Sequence, residues 1–197
     1  MRLTHTFLNS LISRRNTLAL MVSILAVSGT TTELLGGIWD ATSHITREPE
    51  KFWTIQHVVV YTGVLVTVCS TIVGTILCIT KCKNKTLLKG IKIIILGSIL
   101  QLSGGYADSE SHEIYGVDGL VTPSHLVIET GLLLSALGGY VTLFQFQRSL
   151  ITKIIPVSAM TFIMIAMWIG YNLILLFGAV ILCAPIYEMF SSGCAVL

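Results

Sequence analysis

The stretch Gly36-Gly37-Ile38-Trp39-Asp40-Ala41-Thr42-Ser43-His44, followed by His57, decides how this chain is read. A shift of 68 residues gives Gly104-Gly105-Tyr106-Ala107-Asp108-Ser109-Glu110-Ser111-His112, followed by His125. Both copies run Asp, three residues, His, twelve residues, His, without a gap. Gly36/Gly104, Gly37/Gly105, Thr54/Thr122, Thr62/Thr130 and Gly63/Gly131 repeat in the same frame. The chain has five histidines, and all but His5 belong to this duplicated unit.

Working outward, composition sets the solvent. Of 197 residues, 53% are hydrophobic and 11% charged, and the mean hydropathy is +0.83. Soluble domains carry about 25% charged residues. Apolar runs long enough to cross a hydrocarbon layer of about 30 Å are expected at 17–39, 55–80, 91–106, 123–146 and 154–183. The fold expected is an all-α integral membrane bundle of about five transmembrane helices, built from a duplicated two-helix unit. Its segments are an interfacial piece (1–16), repeat 1 (17–80), repeat 2 (85–148), and a fifth helix with a C-terminal tail (154–197), with room for a short sixth helix. The near-neutral net charge of +2 gives no reason to expect a nucleic acid.

In residues 1–16, apolar Leu3, Phe7, Leu8, Leu11 and Ile12 alternate with basic Arg2, Arg14 and Arg15. This suits a helix lying at the membrane surface, with His5 a bland interfacial residue. The rival is a cleaved signal peptide ending near Ala26-Val27-Ser28; retention of the segment is the expectation. Arg2, Arg14, Arg15, the lysines from Lys81 to Lys92, Arg148 and Lys153 fall on one side of the spans, and only Arg47 and Lys51 on the other. By the positive-inside rule the N-terminus is cytoplasmic in a multi-pass cell-membrane protein, and both Asp/His clusters lie near the extracytoplasmic face. Loops are expected at 41–54 and after residue 106, the second one acidic, with Asp108, Glu110, Glu113 and Asp118. Two spans per repeat give both copies one orientation, related by an axis along the membrane normal. A third copy begins in register in the last span, but Leu176 and Val180 stand where Asp and His would be.

Asp and His four residues apart share one face if the first span continues helically through His44. The second His opens the next span at similar depth, so two imidazoles and one carboxylate converge from adjacent helix ends. Such a set suits copper, zinc or iron and leaves coordination positions open. The plainer alternative is hydrogen-bonded polar contact between helices. Two intact copies in a histidine-poor chain favour metal. An ionised aspartate in the membrane costs roughly 2.5–3.5 kcal/mol on insertion scales, and the second loop offers no Lys or Arg to offset it. Glu33 lies two turns before Asp40, with Gln101 as its repeat partner. Glu129 follows His125 by one turn, and Tyr61 stands at its matching place. These three polar residues are candidates for orienting the ligands from behind, with Glu129 an additional ligand candidate; for Glu33 and Gln101 a helix–helix hydrogen bond is the equal alternative. Cys78 and Cys82 share a helix face near Cys69 but read as small buried apolar residues, while Cys183 and Cys194 lie where a disulfide is allowed.

The pattern Asp40-x3-His44-x12-His57 resembles the copper-ligand motif in the C subunit of the copper membrane monooxygenases, the particulate methane and ammonia monooxygenase family. In that family the second ligand histidine often sits in a Thr-Pro-x-His context; this chain has Thr122-Pro123-Ser124-His125 in copy two and Thr54-Ile55-Gln56-His57 in copy one. The resemblance spans roughly residues 30–140. It implies one copper site at Asp40, His44 and His57 and a neighbouring one at Asp108, His112 and His125, where the family commonly has Asn in place of Asp108. It also implies a role as one membrane subunit of a hetero-oligomeric, lipid-embedded monooxygenase complex oxidising a small molecule such as ammonia or methane. The alternatives are a non-catalytic scaffold or copper-delivery subunit, and a membrane zinc hydrolase in which the same ligands activate water. A haem-b protein would leave both aspartates unexplained.

Overall fold

A computed structural model describes residues 2–46, 53–79, 84–115, 122–146 and 149–190. Side chains within these segments are described except at 2–15, 44, 45, 112, 115, 149, 150, 175 and 178–190. Five helices follow one another: α1 (Arg2–Thr46), α2 (Ile55–Ile79), α3 (Lys85–Tyr115), α4 (Pro123–Leu143) and α5 (Ser149–Phe190). Each contains a stretch long and apolar enough to cross a membrane: Asn16–Ser43, Ile55–Ile79, Lys85–Ser111, Pro123–Leu143 and Ile151–Ile174. The chain is an all-α, multi-pass membrane bundle.

The distribution of side chains fits lipid rather than water as the solvent. Leu65, Ile72 and Ile76 of α2, Leu96 and Ile99 of α3, and Met160, Ile163 and Met167 of α5 face outward. Ser23, Thr30, Glu33, Thr67, Ser70, Gln101 and Ser135 are buried. In hydrocarbon there is no hydrophobic drive between helices, so small and hydroxyl-bearing residues carry the packing. Ser70 Oγ donates to the Val22 carbonyl across α2 and α1 at 2.7 Å. The Thr71 and Ser98 hydroxyls meet across α2 and α3 at 2.6 Å, and those of Thr31 and Thr161 across α1 and α5 at 3.1 Å.

The tightest packing joins α1 to α2 and α3 to α4, and it is made the same way in both pairs. A Cβ placed on Gly63 would stand 2.5 Å from the Glu33 backbone nitrogen; one placed on Gly131 would stand 2.6 Å from the Gly97 carbonyl oxygen and 2.7 Å from the Gln101 nitrogen. Only glycine lets these backbones approach so closely. The two pairs meet through α1 and α4, and α5 lies along α4. Ala19, Val22, Ala26, Leu77, Ile91 and Ile94 fill the space between the pairs at one end. Leu34, Leu132, Ala136 and Ile165 seal α1, α4 and α5 nearer the other.

Several boundaries differ from the sequence expectation, among them residues 41–46, expected as loop, which continue α1, and the start of α3 at Lys85 rather than near residue 91. Residues 2–16 do not form a separate element: α1 runs unbroken from Arg2, having no Pro and no Gly before Gly29 to interrupt it. Residues 107–115 are helix rather than loop. Their acidic residues suggested a loop, but Glu is a good helix former and the first glycine after Tyr115 is Gly116. The last helix continues to Phe190 without forming a distinct sixth element among the described residues. The loops carrying Arg47, Lys51 and Asp118, the residues from Thr80 to Lys83, the tail 191–197, and the side chains of His5, Val180 and Cys183 lie outside the described part, as do Cys82 and Cys194. The reading of Cys82 as a buried apolar residue and the allowed Cys183–Cys194 disulfide therefore fall there too. Cys69 and Cys78 are in no disulfide.

Candidate metal centre

Because α1 continues through Thr46 and α3 through Tyr115, Asp40/His44 and Asp108/His112 each lie one helical turn apart on one helix. The second histidine of each copy enters from the first turn of the next helix. For α4 the local sequence sets this directly. Thr122 is the N-cap, its hydroxyl accepting from the His125 backbone nitrogen at 3.2 Å. Pro123 occupies the first helical position, where its missing N–H costs nothing. The Thr-Pro-x-His arrangement thus starts the helix and aims the histidine in four residues.

The carboxylate and imidazole of each copy meet. Asp40 Oδ1 stands 2.8 Å from His57 Nε2, and Asp108 Oδ1 stands 3.2 Å from His125 Nε2. All four side chains are largely but not fully buried. Asp108 Oδ1 also accepts from Ser124 Oγ at 2.8 Å, and Ser124 Oγ is in turn 2.8 Å from the Thr122 hydroxyl. In copy one Gln56 replaces Ser124, and the buried Thr54 hydroxyl has no hydrogen-bond partner among the described residues.

Both pairs line one cavity of about 130 Å³, to which all five helices contribute. Asp40, His57, Asp108 and His125 stand on its wall with Tyr61, which lies within electrostatic reach of both aspartates. Glu33 and Glu129 line it as well, while Val60, Ile128 and Leu132 make it apolar between the polar groups. Glu129 is braced from α5: its Oε1 accepts from Trp168 Nε1 at 2.7 Å and from Asn172 Nδ2. Glu33 is 2% exposed, and neither carboxyl oxygen has a hydrogen-bond partner among the described residues. Gln101, its counterpart in α3, is equally buried and also unpartnered, but it does not line the cavity.

The structure thus brings together Asp40 with His57 and Asp108 with His125, and places Glu33 and Glu129 in the same cavity. His44 and His112 are placed by backbone alone. Among the described residues no three His, Cys, Asp or Glu side chains converge on one point; the two Asp–His pairs stand as separate contacts. The separations of 2.8 and 3.2 Å are those of direct hydrogen-bonded contacts. Two donors on one tetrahedral metal with bonds of about 2.0–2.1 Å would stand roughly 3.3 Å apart, so an ion between them would need each pair to open slightly.

Sequence reasoning missed the contribution of α5. The available signal was Asn172, a polar side chain in an apolar span, with Trp168 one turn before it on the same face.

No protein-family model, no curated protein and no solved structure matches this chain. The resemblance to the copper membrane monooxygenases accordingly rests on the motif residues alone.

Proposed function

We propose that the chain is a membrane subunit of a copper-dependent monooxygenase complex that oxidises a small molecule such as ammonia or methane. Asp40, His44 and His57 would hold one copper, and Asp108, His112 and His125 another. The observation that carries this reading is the opening of two repeat-related Asp/His pairs, each in direct contact, onto one largely apolar cavity. Each aspartate brings negative charge to a place where an uncompensated carboxylate is costly, and each imidazole adds a nitrogen that suits copper. Zinc and iron are the other metals this donor set accepts.

Bound copper would supply one-electron and dioxygen chemistry that no side chain here provides. The residues themselves position and exclude. The N-cap at Thr122 fixes His125, and Ser124 holds the Asp108 carboxylate in place. Trp168 and Asn172 fix Glu129 on the same wall. Val60, Ile128 and Leu132 leave little for water to bond to between the polar groups. By the distribution of Lys and Arg, the N-terminus is cytoplasmic and the cavity end faces outward. The other membrane subunits of the complex would supply the remaining surfaces, including the path for electrons.

A second reading has its own support. The Asp–His contacts satisfy each other directly, as they would in a scaffold subunit whose polar residues only join helices. The double substitution His44→Ala with His57→Ala, made in the native complex, separates the readings. Loss of both copper and oxidation supports a catalytic site, whereas loss of copper with oxidation retained makes the site accessory. Retention of both contradicts a metal site in copy one. The proposed orientation requires a cysteine placed at Glu50 to react with an impermeant reagent on intact cells; reaction only after lysis would reverse it.

A further inference from the structure

Two carboxyl groups in the cavity are not among the six ligands of the proposed metal sites. Glu33 lies seven residues, or about 10 Å along α1, from Asp40, while metal–ligand bonds are about 2 Å. An ion held by Asp40 therefore does not touch Glu33. The α1–α2 crossing does not require a carboxyl there either, because Gln101 fills the equivalent place against Gly131. Yet Glu33 is buried, lacks a hydrogen-bond partner among the described residues and lines the cavity. Glu129 Oε2 is likewise unpartnered, although Oε1 takes both donors from α5. Four carboxyls line the cavity in all, against two imidazoles and, among the described residues, no Lys or Arg. Buried carboxyls without partners are expensive to maintain, and this inventory is complementary to a positive ligand.

An inorganic cation is a poor match, since hard ions take six or more converging oxygens and no three candidate ligands converge among the described residues. The other walls indicate an organic one. Leu34, Ile128, Leu132 and Trp168 line the same cavity as Glu33 and Glu129. The three carboxyl oxygens Glu33 Oε1, Glu33 Oε2 and Glu129 Oε2 are without hydrogen-bond partners among the described residues, and an indole face attracts an ammonium group. A cavity of about 150 Å³ holds benzene, so one of about 130 Å³ has room for roughly five or six non-hydrogen atoms. An apolar crevice between α1 and α5 adjoins it, sharing Leu34, Ile38 and Trp168 and adding Met164, Met167 and Tyr171.

We propose that the inner part of the cavity binds a small protonated alkylamine, its ammonium on Glu33 and Glu129 and its apolar body against Leu34, Leu132 and Trp168. The site is independent of the metal: it stands whether or not copper occupies the outer residues.

The test uses the full chain, purified with its native partners, titrated with tert-butylammonium chloride and with tert-butanol, a neutral molecule of the same shape. Binding is followed by ligand-observed NMR and calorimetry. Saturable binding of the cation is expected, with no saturable binding of the alcohol at equal concentration and at least tenfold weaker cation binding in Glu33→Gln. That substitution keeps the shape that Gln101 already shows to be compatible with such a crossing; if the variant fails to fold, Glu129→Gln takes its place with the same expected loss. The proposal is overturned by equal binding of the alcohol, by absence of cation binding in folded wild-type protein, by unchanged affinity in a folded variant, or by full competition from sodium at millimolar concentration. Copper measured in the same samples keeps the two readings apart: amine binding in copper-free protein refutes neither, and copper without amine binding sinks this one alone.

Discussion

The two helix pairs present the same Asp-x3-His-x12-His pattern on different supports. In α3/α4 the Asp108 Oδ1 atom serves both His125 and Ser124, Thr122 caps the helix that carries the histidine, and Glu129 is tied to α5. In α1/α2 Asp40 stands closer to its histidine, the Thr54 hydroxyl caps nothing among the described residues, and Tyr61 replaces Glu129, its ring 6.1 Å from that of His57 and 5.9 Å from that of Trp53. Duplicating the motif therefore did not duplicate its surroundings. Copy two is held by three helices and by a hydroxyl that donates to its carboxylate, whereas in copy one Gln56 stands in place of that hydroxyl.

The largest effect should appear where the copies do not differ. Gly63→Val and Gly131→Val each drive a side chain into backbone of the facing helix, and each should cost about 3 kcal/mol or more. Gly37→Ala and Gly105→Ala meet nothing within 4 Å and should stay within about 0.5 kcal/mol. Unfolding of the solubilised protein measures all four. A marked difference between the two valine variants would break the equivalence of the pairs.

The glycines show what the sequence could disclose. Gly63 and Gly131 repeat in frame with the Asp/His residues, and the same close approach puts both at helix crossings. Spans were readable because hydropathy over about 20 residues responds only to the solvent. The helix through Asp108 and His112 was less readable, since a charged run suggests a loop, although Asp-x3-His already carries a helical period. The shared cavity was not readable at all. It depends on α1 meeting α4, and no periodicity within either helix states which partner it will choose. Trp168 and Asn172 stayed hidden for a related reason: they lie on α5, where Leu176 and Val180 stand in place of the repeat's Asp and His.

A smaller effect should fall on copy two alone. Trp168→Phe together with Asn172→Leu removes both donors to Glu129, leaving a buried acceptor at a cost of about 1–3 kcal/mol. Copper bound by Asp40 and His57 should be unchanged, because Tyr61 rather than Glu129 occupies that side. Equal loss at both sites would mean that α5 supports the whole cavity and not one half of it.

The smallest contrast concerns the helix starts. Thr122→Ala removes a working N-cap and should cost about 1 kcal/mol, while Thr54→Ala should cost clearly less, its hydroxyl having no partner among the described residues. Chemical denaturation of the two variants side by side resolves this, and equal losses would show that copy one is capped as firmly as copy two.

Copper stoichiometry tests the central claim most directly. It should be measured in the native complex carrying wild-type chain, His57→Ala, His125→Ala, or both changes, with the copper coordination read by X-ray absorption. Two coppers per chain in the wild type, one in each single variant and none in the double variant, in nitrogen- and oxygen-rich coordination at about 2.0 Å, is the predicted result. Under a graded chelator, the copper lost first should be that of copy two. Copper content unchanged in the folded double variant would contradict the account, leaving both Asp–His pairs as contacts between helices.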